Sequence, residues 1–366
     1  MVKKVVLTIL GLVISVLIAG FLLVFFNSPG KMESLKNDEG QTIQGSINEK
    51  KFIRIGGIKQ GMFIRGEDRS KPILLFLHGG PGTPEFAMSE AWETQDRLEK
   101  EFVVCYWDQR GTGMSNTKEL DKKTVTKNQA IEDTVEVTYY LRQRFKQDKI
   151  FLIGHSWGGY VGIKTVQKNP ELYLAYMGIG QPVHQKKGQK LAYDYLRNHA
   201  KKIGDKKSLE KLATFDPEGS AYNLLLEKYG VGIRHKGQSM LVLIKNLMFF
   251  KGYTLTEKVN AFKGMALSNE KLDNEEYSND NILKSIPELE VPVYGLHGKY
   301  DHQVSYQLAK EFFAKVEAPE KKFYTFNDSA HSPNFEEPKA FLKAVKEIKS
   351  QVEKSTFIFE GEESHE

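Results

Sequence analysis

One stretch constrains this 366-residue chain more than any other: Lys149-Ile150-Phe151-Leu152-Ile153-Gly154-His155-Ser156-Trp157-Gly158-Gly159-Tyr160. The apolar run at its start predicts a short buried strand. Gly154 ends that run, and Gly158-Gly159 opens a segment with helical periodicity. A G-x-S-x-G pentapeptide between strand and helix is the context of a sharp turn that displays its central serine. Glycines two residues either side of Ser156 give such a turn its room.

Around this turn, strand-like and helix-like segments alternate. Residues 51–58 and 61–65 predict an antiparallel hairpin turning at Lys59-Gln60, and the apolar run 72–77 predicts a central strand. Helix 85–100, strand 102–107, helix 128–145, helix 157–168 and strand 174–179 follow. Such alternation predicts a mostly parallel sheet with helices on both faces. From 181 to 286 no buried strand is legible. Helical stretches at 187–203, 221–229, 238–250 and 257–267 predict an inserted lid. The rhythm resumes with strand 291–296, helix 305–316, strand 322–326 and helix 338–350. The chain divides into an anchor (1–30), a linker (31–48), a core in two parts (49–181 and 287–350), a lid (182–286) and an acidic tail (351–366) expected to be disordered.

The N-terminal segment from Val5 to Phe26 has no charged residue. At about 1.5 Å per residue it reaches across a hydrocarbon core about 30 Å thick. Signal-peptide apolar regions are shorter, about 7–15 residues, and end at small residues. Here Ala19-Gly20 is followed by more apolar sequence, which favours an uncleaved anchor over a cleaved signal. Lys3 and Lys4 flank one end, Lys31 and Lys36 the other; the modest bias favours a cytoplasmic N-terminus and a domain outside the membrane. The one cysteine, Cys105, lies in an apolar run, so no intrachain disulfide exists and no lipid-bearing cysteine follows the anchor. A net charge of +5, with lysines scattered among acids, presents no nucleic-acid stripe.

A displayed serine needs a base and an acid to become a nucleophile. Asp301 follows the resumed strand directly, and His331 sits in the loop after the last strand. The order Ser156, Asp301, His331 is that of α/β-hydrolases, and all three fall at carboxyl ends of strands, where open α/β sheets build their sites. His78-Gly79-Gly80-Pro81-Gly82, after the strand ending at Leu77, occupies the position of an oxyanion loop, with the Trp157 N–H as second donor. No Walker Lys-Ser/Thr follows these glycines, which disfavours a phosphate cradle. His297 and Asp301 are four apart, but no HExxH motif or third ligand accompanies them, so neither metal nor other cofactor is expected.

Three motifs together, His78-Gly79-Gly80-Pro81-Gly82, Asp108-Gln109-Arg110-Gly111-Thr112-Gly113-Met114-Ser115 and Gly154-His155-Ser156-Trp157-Gly158-Gly159, resemble the proline iminopeptidase family of α/β-hydrolases. The match covers roughly half the chain. The resemblance implies oxyanion N–H groups from Gly80 and Trp157, and a site-framing loop containing Asp108, Gln109 and a structural Arg110. It also implies a short-peptide substrate with a free amine recognised by glutamates. Here the neighbour of Asp301 is His302, and the lid offers Asp194, Asp216, Glu218 and Glu227 with no motif to choose among them. Lid aromatics Tyr193, Tyr195, Phe249, Phe250 and Tyr253 read mostly as packing, some as pocket lining. The favoured reading is a membrane-anchored serine aminopeptidase; a carboxylesterase acting on small apolar esters is the alternative, and a non-catalytic ligand-binding relative the least favoured. Serine at 156 excludes an aspartate nucleophile, and oligomeric state is not legible.

Overall fold

The computed structural model describes residues 2–88, 96–217, 221–236 and 240–363. Eight strands form one sheet: β1 (Ile47–Ile55), β2 (Ile58–Gly66), β3 (Ile73–Leu77), β4 (Val103–Trp107), β5 (Ile150–His155), β6 (Tyr173–Ile179), β7 (Val293–Gly298) and β8 (Lys321–Phe326). Their order is β1-β2-β4-β3-β5-β6-β7-β8. The β1–β2 and β2–β4 pairs are antiparallel and all others parallel. The central strands are apolar throughout because both faces are covered. Ile73, Leu75 and Leu77 of β3 pack into one core layer, while Leu74 and Phe76 pack into the other.

The helices before the lid are α1 (Val2–Phe26), α2 (Glu85–Met88), α3 (Lys127–Phe145) and α4 (Trp157–Lys168). The lid carries α5 (Gln185–Ile203), α6 (Lys206–Leu212), α7 (Asn223–Lys228), α8 (Met240–Phe249), α9 (Leu255–Leu272), α10 (Glu275–Asn279) and α11 (Ile282–Ser285). After it come α12 (Tyr306–Lys315), α13 (Pro333–Glu336) and α14 (Pro338–Glu363). Helices α5 to α7 share a small core of their own around Leu196, Leu212, Tyr222 and Leu226. Leu247 and Phe250, in contrast, join a core layer of the sheet. Helix α1 is long and apolar enough to cross a membrane, and none of its residues is buried within the protein.

The structure corrects the sequence reading in several places. The first hairpin turns at Gly56-Gly57, not Lys59-Gln60. Both glycines have positive φ, 52° and 79°, the conformation of a two-residue type I′ turn. The helix expected over 85–100 is reduced to α2 and a 3₁₀ turn at Leu98–Lys100; residues 89–95 lie outside the described set. Helix α6 is an addition, capped by Asp205. The linker is no free tether, since Leu35 is buried and Lys31 N–H donates to the Lys251 carbonyl at 3.0 Å. The last helix continues past Ser350 to Glu363, so residues 351–363 of the tail expected to be disordered are helical, with Val352 extending the buried stripe of Ile348.

Candidate active site

The backbone builds the turn at Ser156. This residue has φ 53° and ψ −119° between β5 and α4, a region that side-chain-bearing residues avoid. The glycines around it have steric reasons. A Cβ at Gly154 would collide with the Gly158 carbonyl, and one at Gly158 with the Leu77 carbonyl at the end of β3. Trp157 is the first residue of α4, so its N–H is among those a helix leaves without an internal partner.

Asp301 and His331 meet at 2.8 Å, Oδ2 to Nδ1. Asp301 Oδ1 accepts the Val304 N–H at 2.8 Å, and its Oδ2 is also 2.8 Å from His297 Nε2. Although burial opposes it, the charges and hydrogen bonds of His331 and His297 hold the Asp301 carboxyl well below the usual range. Burial keeps His331 below the ordinary histidine value; Asp301 counters this and His155 adds to it. His331 is therefore neutral near pH 7, with Nδ1–H turned to the carboxylate and Nε2 left as the basic nitrogen. Ser156 and His331 line the same cavity.

A second network, absent from the sequence reading, ties the surrounding loops together. Glu85 accepts from the Gly79 N–H at 3.1 Å, from His155 Nδ1 at 2.8 Å and from Asn334 Nδ2 at 3.2 Å. The other His155 nitrogen donates to the His331 carbonyl at 3.0 Å. With both nitrogens donating, His155 is an imidazolium; burial lowers its pKa, but Glu85 outweighs this and leaves it raised. Burial likewise raises the Glu85 pKa, and His155 and the Gly79 N–H bring it below its ordinary value. The only sequence signals were the position of His155 beside Ser156 and a carboxylate just after the glycine loop.

His78 is buried and held neutral, its pKa lowered to about 4 mainly by burial. Its Nε2 accepts the Gln109 N–H at 3.1 Å, so its proton sits on Nδ1, 2.9 Å from the Gly79 carbonyl. Gln109 joins both loops, donating to the His78 carbonyl at 2.9 Å and accepting from Trp157 Nε1 at 3.2 Å. Gly80 has φ 117°, and a Cβ there would press within 2.7 Å of the Gly82 and Thr83 nitrogens. Pro81 follows it, and Gly82 packs so closely on Ser268 of α9 that no side chain fits. Asp108 and Arg110 lie behind the site. Arg110 grips Asp133 of α3 at 2.7 and 2.9 Å and the Gly56 carbonyl at 2.9 Å. Asp108 accepts from the Met114 N–H and the Tyr253 hydroxyl, and burial pushes its carboxyl up to about 7.

Ser156 stands where two cavities meet. One, about 150 Å³, is lined by amide and acid side chains including Gln185, Gln189, Asn223, Asn269 and Asp273, together with Gly80 and Pro81. The other, about 340 Å³, is largely apolar, with Met88, Leu224, Leu243, Met265 and Phe335, and also carries Glu85 and Glu227. Of the four candidate lid acids, Glu227 lines it, Asp194 and Asp216 line neither cavity, and Glu218 lies outside the described residues. None of the five lid aromatics singled out earlier lines either cavity. Tyr222, Tyr277 and Phe335 do, while Tyr195 stacks on His302 at 3.8 Å.

A mostly parallel sheet, a strained serine turn after its central strand and a paired Asp and His after its late strands define an α/β-hydrolase. The chain belongs to the α/β-hydrolase fold family, whose model matches residues 72–338. It is 33% identical over 307 residues to the probable aminopeptidase YbaC of Bacillus subtilis strain 168, covering 82% of this chain and 96% of that protein. It is 23% identical over 308 residues to a proline iminopeptidase of Heyndrickxia coagulans, covering 80% and 96%. A crystal structure of proline iminopeptidase from Mycobacterium smegmatis matches with a TM-score of 0.59 at 14% identity, covering 84% of this chain and 100% of that one, a likeness of fold. These relatives confirm the resemblance to proline iminopeptidases.

Proposed function

We propose that the protein is a serine hydrolase that releases the N-terminal residue of short peptides or cleaves related amides, held at a membrane by α1 with its catalytic domain outside the cytoplasm. The observation that carries the reading is the 2.8 Å contact of buried Asp301 with His331 in the cavity that displays Ser156. Ser156 Oγ attacks the scissile carbonyl carbon while His331 Nε2 takes its proton. Asp301 holds the tautomer and stabilises the imidazolium. The N–H groups of Gly80 and Trp157 receive the oxyanion; one such donor is typically worth about 10²–10³ in rate. Collapse of the tetrahedral intermediate breaks the C–N bond, with the leaving amine taking the proton from His331. Water then attacks the acyl-enzyme by the same route in reverse.

Peptide specificity is supported by the names of the sequence relatives and by the amide-rich cavity, whose side chains suit a peptide backbone. A substrate ammonium would meet Glu227, whose carboxyl burial holds above its ordinary value. The larger apolar cavity favours a second reading, hydrolysis of apolar esters. Fluorophosphonate labelling tests the nucleophile: the wild-type chain should label and Ser156→Ala should not. Aminoacyl arylamides compared with aryl esters then separate the two substrate classes. Amide turnover abolished by N-acetylation supports the peptidase, and turnover of esters alone refutes it.

A further inference from the structure

The chain leaving α1 is sewn first to the lid, and then also to β1, where Lys50 Nζ donates to the Gly30 carbonyl at 3.5 Å and Asn48 to that of Glu33. Lys258 of α9, buried, donates to the carbonyl of Asn27 at 2.7 Å and to that of Met248 in α8 at 2.6 Å. Pro29 bridges to Thr254, and Lys31 N–H bonds the Lys251 carbonyl at 3.0 Å. The point where α1 ends is therefore the junction of α8 and α9.

Both helices turn apolar side chains outward beside that junction. Among the described residues outside α1, eight large apolar side chains are exposed, and four of them are Leu241 (73%), Phe249 (38%), Val259 (45%) and Phe262 (38%). Leu241, Lys245 and Phe249 are spaced four apart on one face of α8, and Val259, Phe262 and Lys263 share one face of α9. The opposite face of α8 is apolar too: Leu247 is buried in the core, and Leu243 lines the cavity beside Ser156. Apart from Lys245 and Asn246, α8 is apolar on both sides, and only one of those sides lies in the core. Lysines 31, 36, 245, 251 and 263 of the same segments are all exposed, and the one exposed acid among residues 31–36 and 240–263, Glu33, pairs with Lys251 at 2.5 Å.

We propose that the outer faces of α8 and α9 rest in the headgroup region of the bilayer that α1 enters, and that the apolar cavity draws from it amphiphilic substrates bearing a long apolar chain. The proposal rests on α1 spanning the membrane and on Ser156 as nucleophile. Leu243 lies about 8 Å along α8 from Met248, and Met265 about 11 Å along α9 from Lys258, the lysine that bonds both Met248 and Asn27. An interfacial helix sinks about 5–10 Å into that region, with lysines reaching back to anionic headgroups.

The full chain in nanodiscs of phosphatidylcholine and phosphatidylglycerol tests this, with an environment-sensitive fluorophore on Leu241→Cys, Phe262→Cys, Ile203→Cys or Leu17→Cys; native Cys105 is buried. Probes at 241 and 262 should be blue-shifted and quenched by spin-labelled lipid, and the probe at 203 should not. Probes at 241 and 262 as aqueous as that at 203, with the probe at 17 quenched, overturn the proposal alone; an unquenched probe at 17 overturns the anchor reading with it. In the same discs, Leu241→Glu combined with Phe262→Glu should lower kcat/KM at least tenfold for a long-chain acyl aryl ester and leave the acetyl ester unchanged. An equal fall for both esters, or none, overturns the substrate half. Loss of fluorophosphonate labelling in the unmutated chain would instead overturn the nucleophile.

Discussion

The core wall and the lid wall of the cavity beside Ser156 are made of different materials. On the core side the ionisable groups are held by named polar partners: His331 by Asp301, which His297 and a backbone N–H hold in turn, Glu85 by three donors, and His155 by Glu85 and the His331 carbonyl. On the lid side the cavity is lined mainly by Leu224, Leu243, Met265 and Ile233. Polar networks in a buried site fail when one member is removed, whereas apolar contacts tolerate exchange of similar volume. On the proposed mechanism, reaction chemistry thus sits on the polar wall and substrate choice on the permissive one.

The sharpest way to break this contrast is Asp301→Asn, which should lower kcat by about 10⁴ by presenting the wrong imidazole tautomer. A loss of less than tenfold in steady-state kinetics would remove the core wall's special standing. Next comes Glu85→Ala, which lets buried His155 lose its proton and leaves the Gly79 N–H and Asn334 without their acceptor, and should cost about 1–3 kcal/mol in urea unfolding. A cost below about 1 kcal/mol would show that the network does not hold the loops together. On the lid side, Glu227→Gln should lower kcat/KM by about tenfold for free-amine substrates and leave N-acetylated esters unchanged, since one half-buried ammonium contact is lost. Equal losses on both would assign Glu227 to the fold.

The mildest effects are those of pH. On the proposed mechanism His331 must be neutral to act as base, and burial holds its pKa below the ordinary 6.5. Activity should therefore persist at pH 6.5 and fall only as pH drops through that lower value; an acid limb centred above pH 7 would contradict the geometry. Asp108 has the opposite sign. Its folded pKa, about 7, exceeds the ordinary 3.8, so its contribution to stability is full below 3.8 and is lost as pH rises through 7. Asp108→Asn should flatten the unfolding free energy across that window.

The same contrast explains what was legible in the sequence. Gly154, Gly158 and Gly80 could be read because a backbone collision or a positive φ leaves no alternative residue, and spacing along a strand–turn–helix unit is local. Asp301 and His331 were findable as loop residues after strands, because the sheet brings strand ends together. Glu85 and His155 escaped because their pairing joins segments 70 positions apart through side chains alone. The hairpin turn was misplaced although Gly56-Gly57 is a strong turn signal, since the alternating residues after it looked continuous with the first strand. Lid helices were located but their faces were not. An apolar residue in α8 reads the same whether it meets the core, like Leu247, or is left uncovered by the protein, like Leu241.

Sheet order carries a consequence for biosynthesis. Strand β7, which delivers Asp301, pairs beside β6, but the whole lid must be made between them. Ser156 and His331 are about 175 positions apart, roughly 10–35 s of synthesis at about 5–20 residues per second. On the proposed mechanism a nascent chain carries its serine through that interval without a base. On the same proposal α1, made first, is in the membrane before the enzyme can act on anything near it.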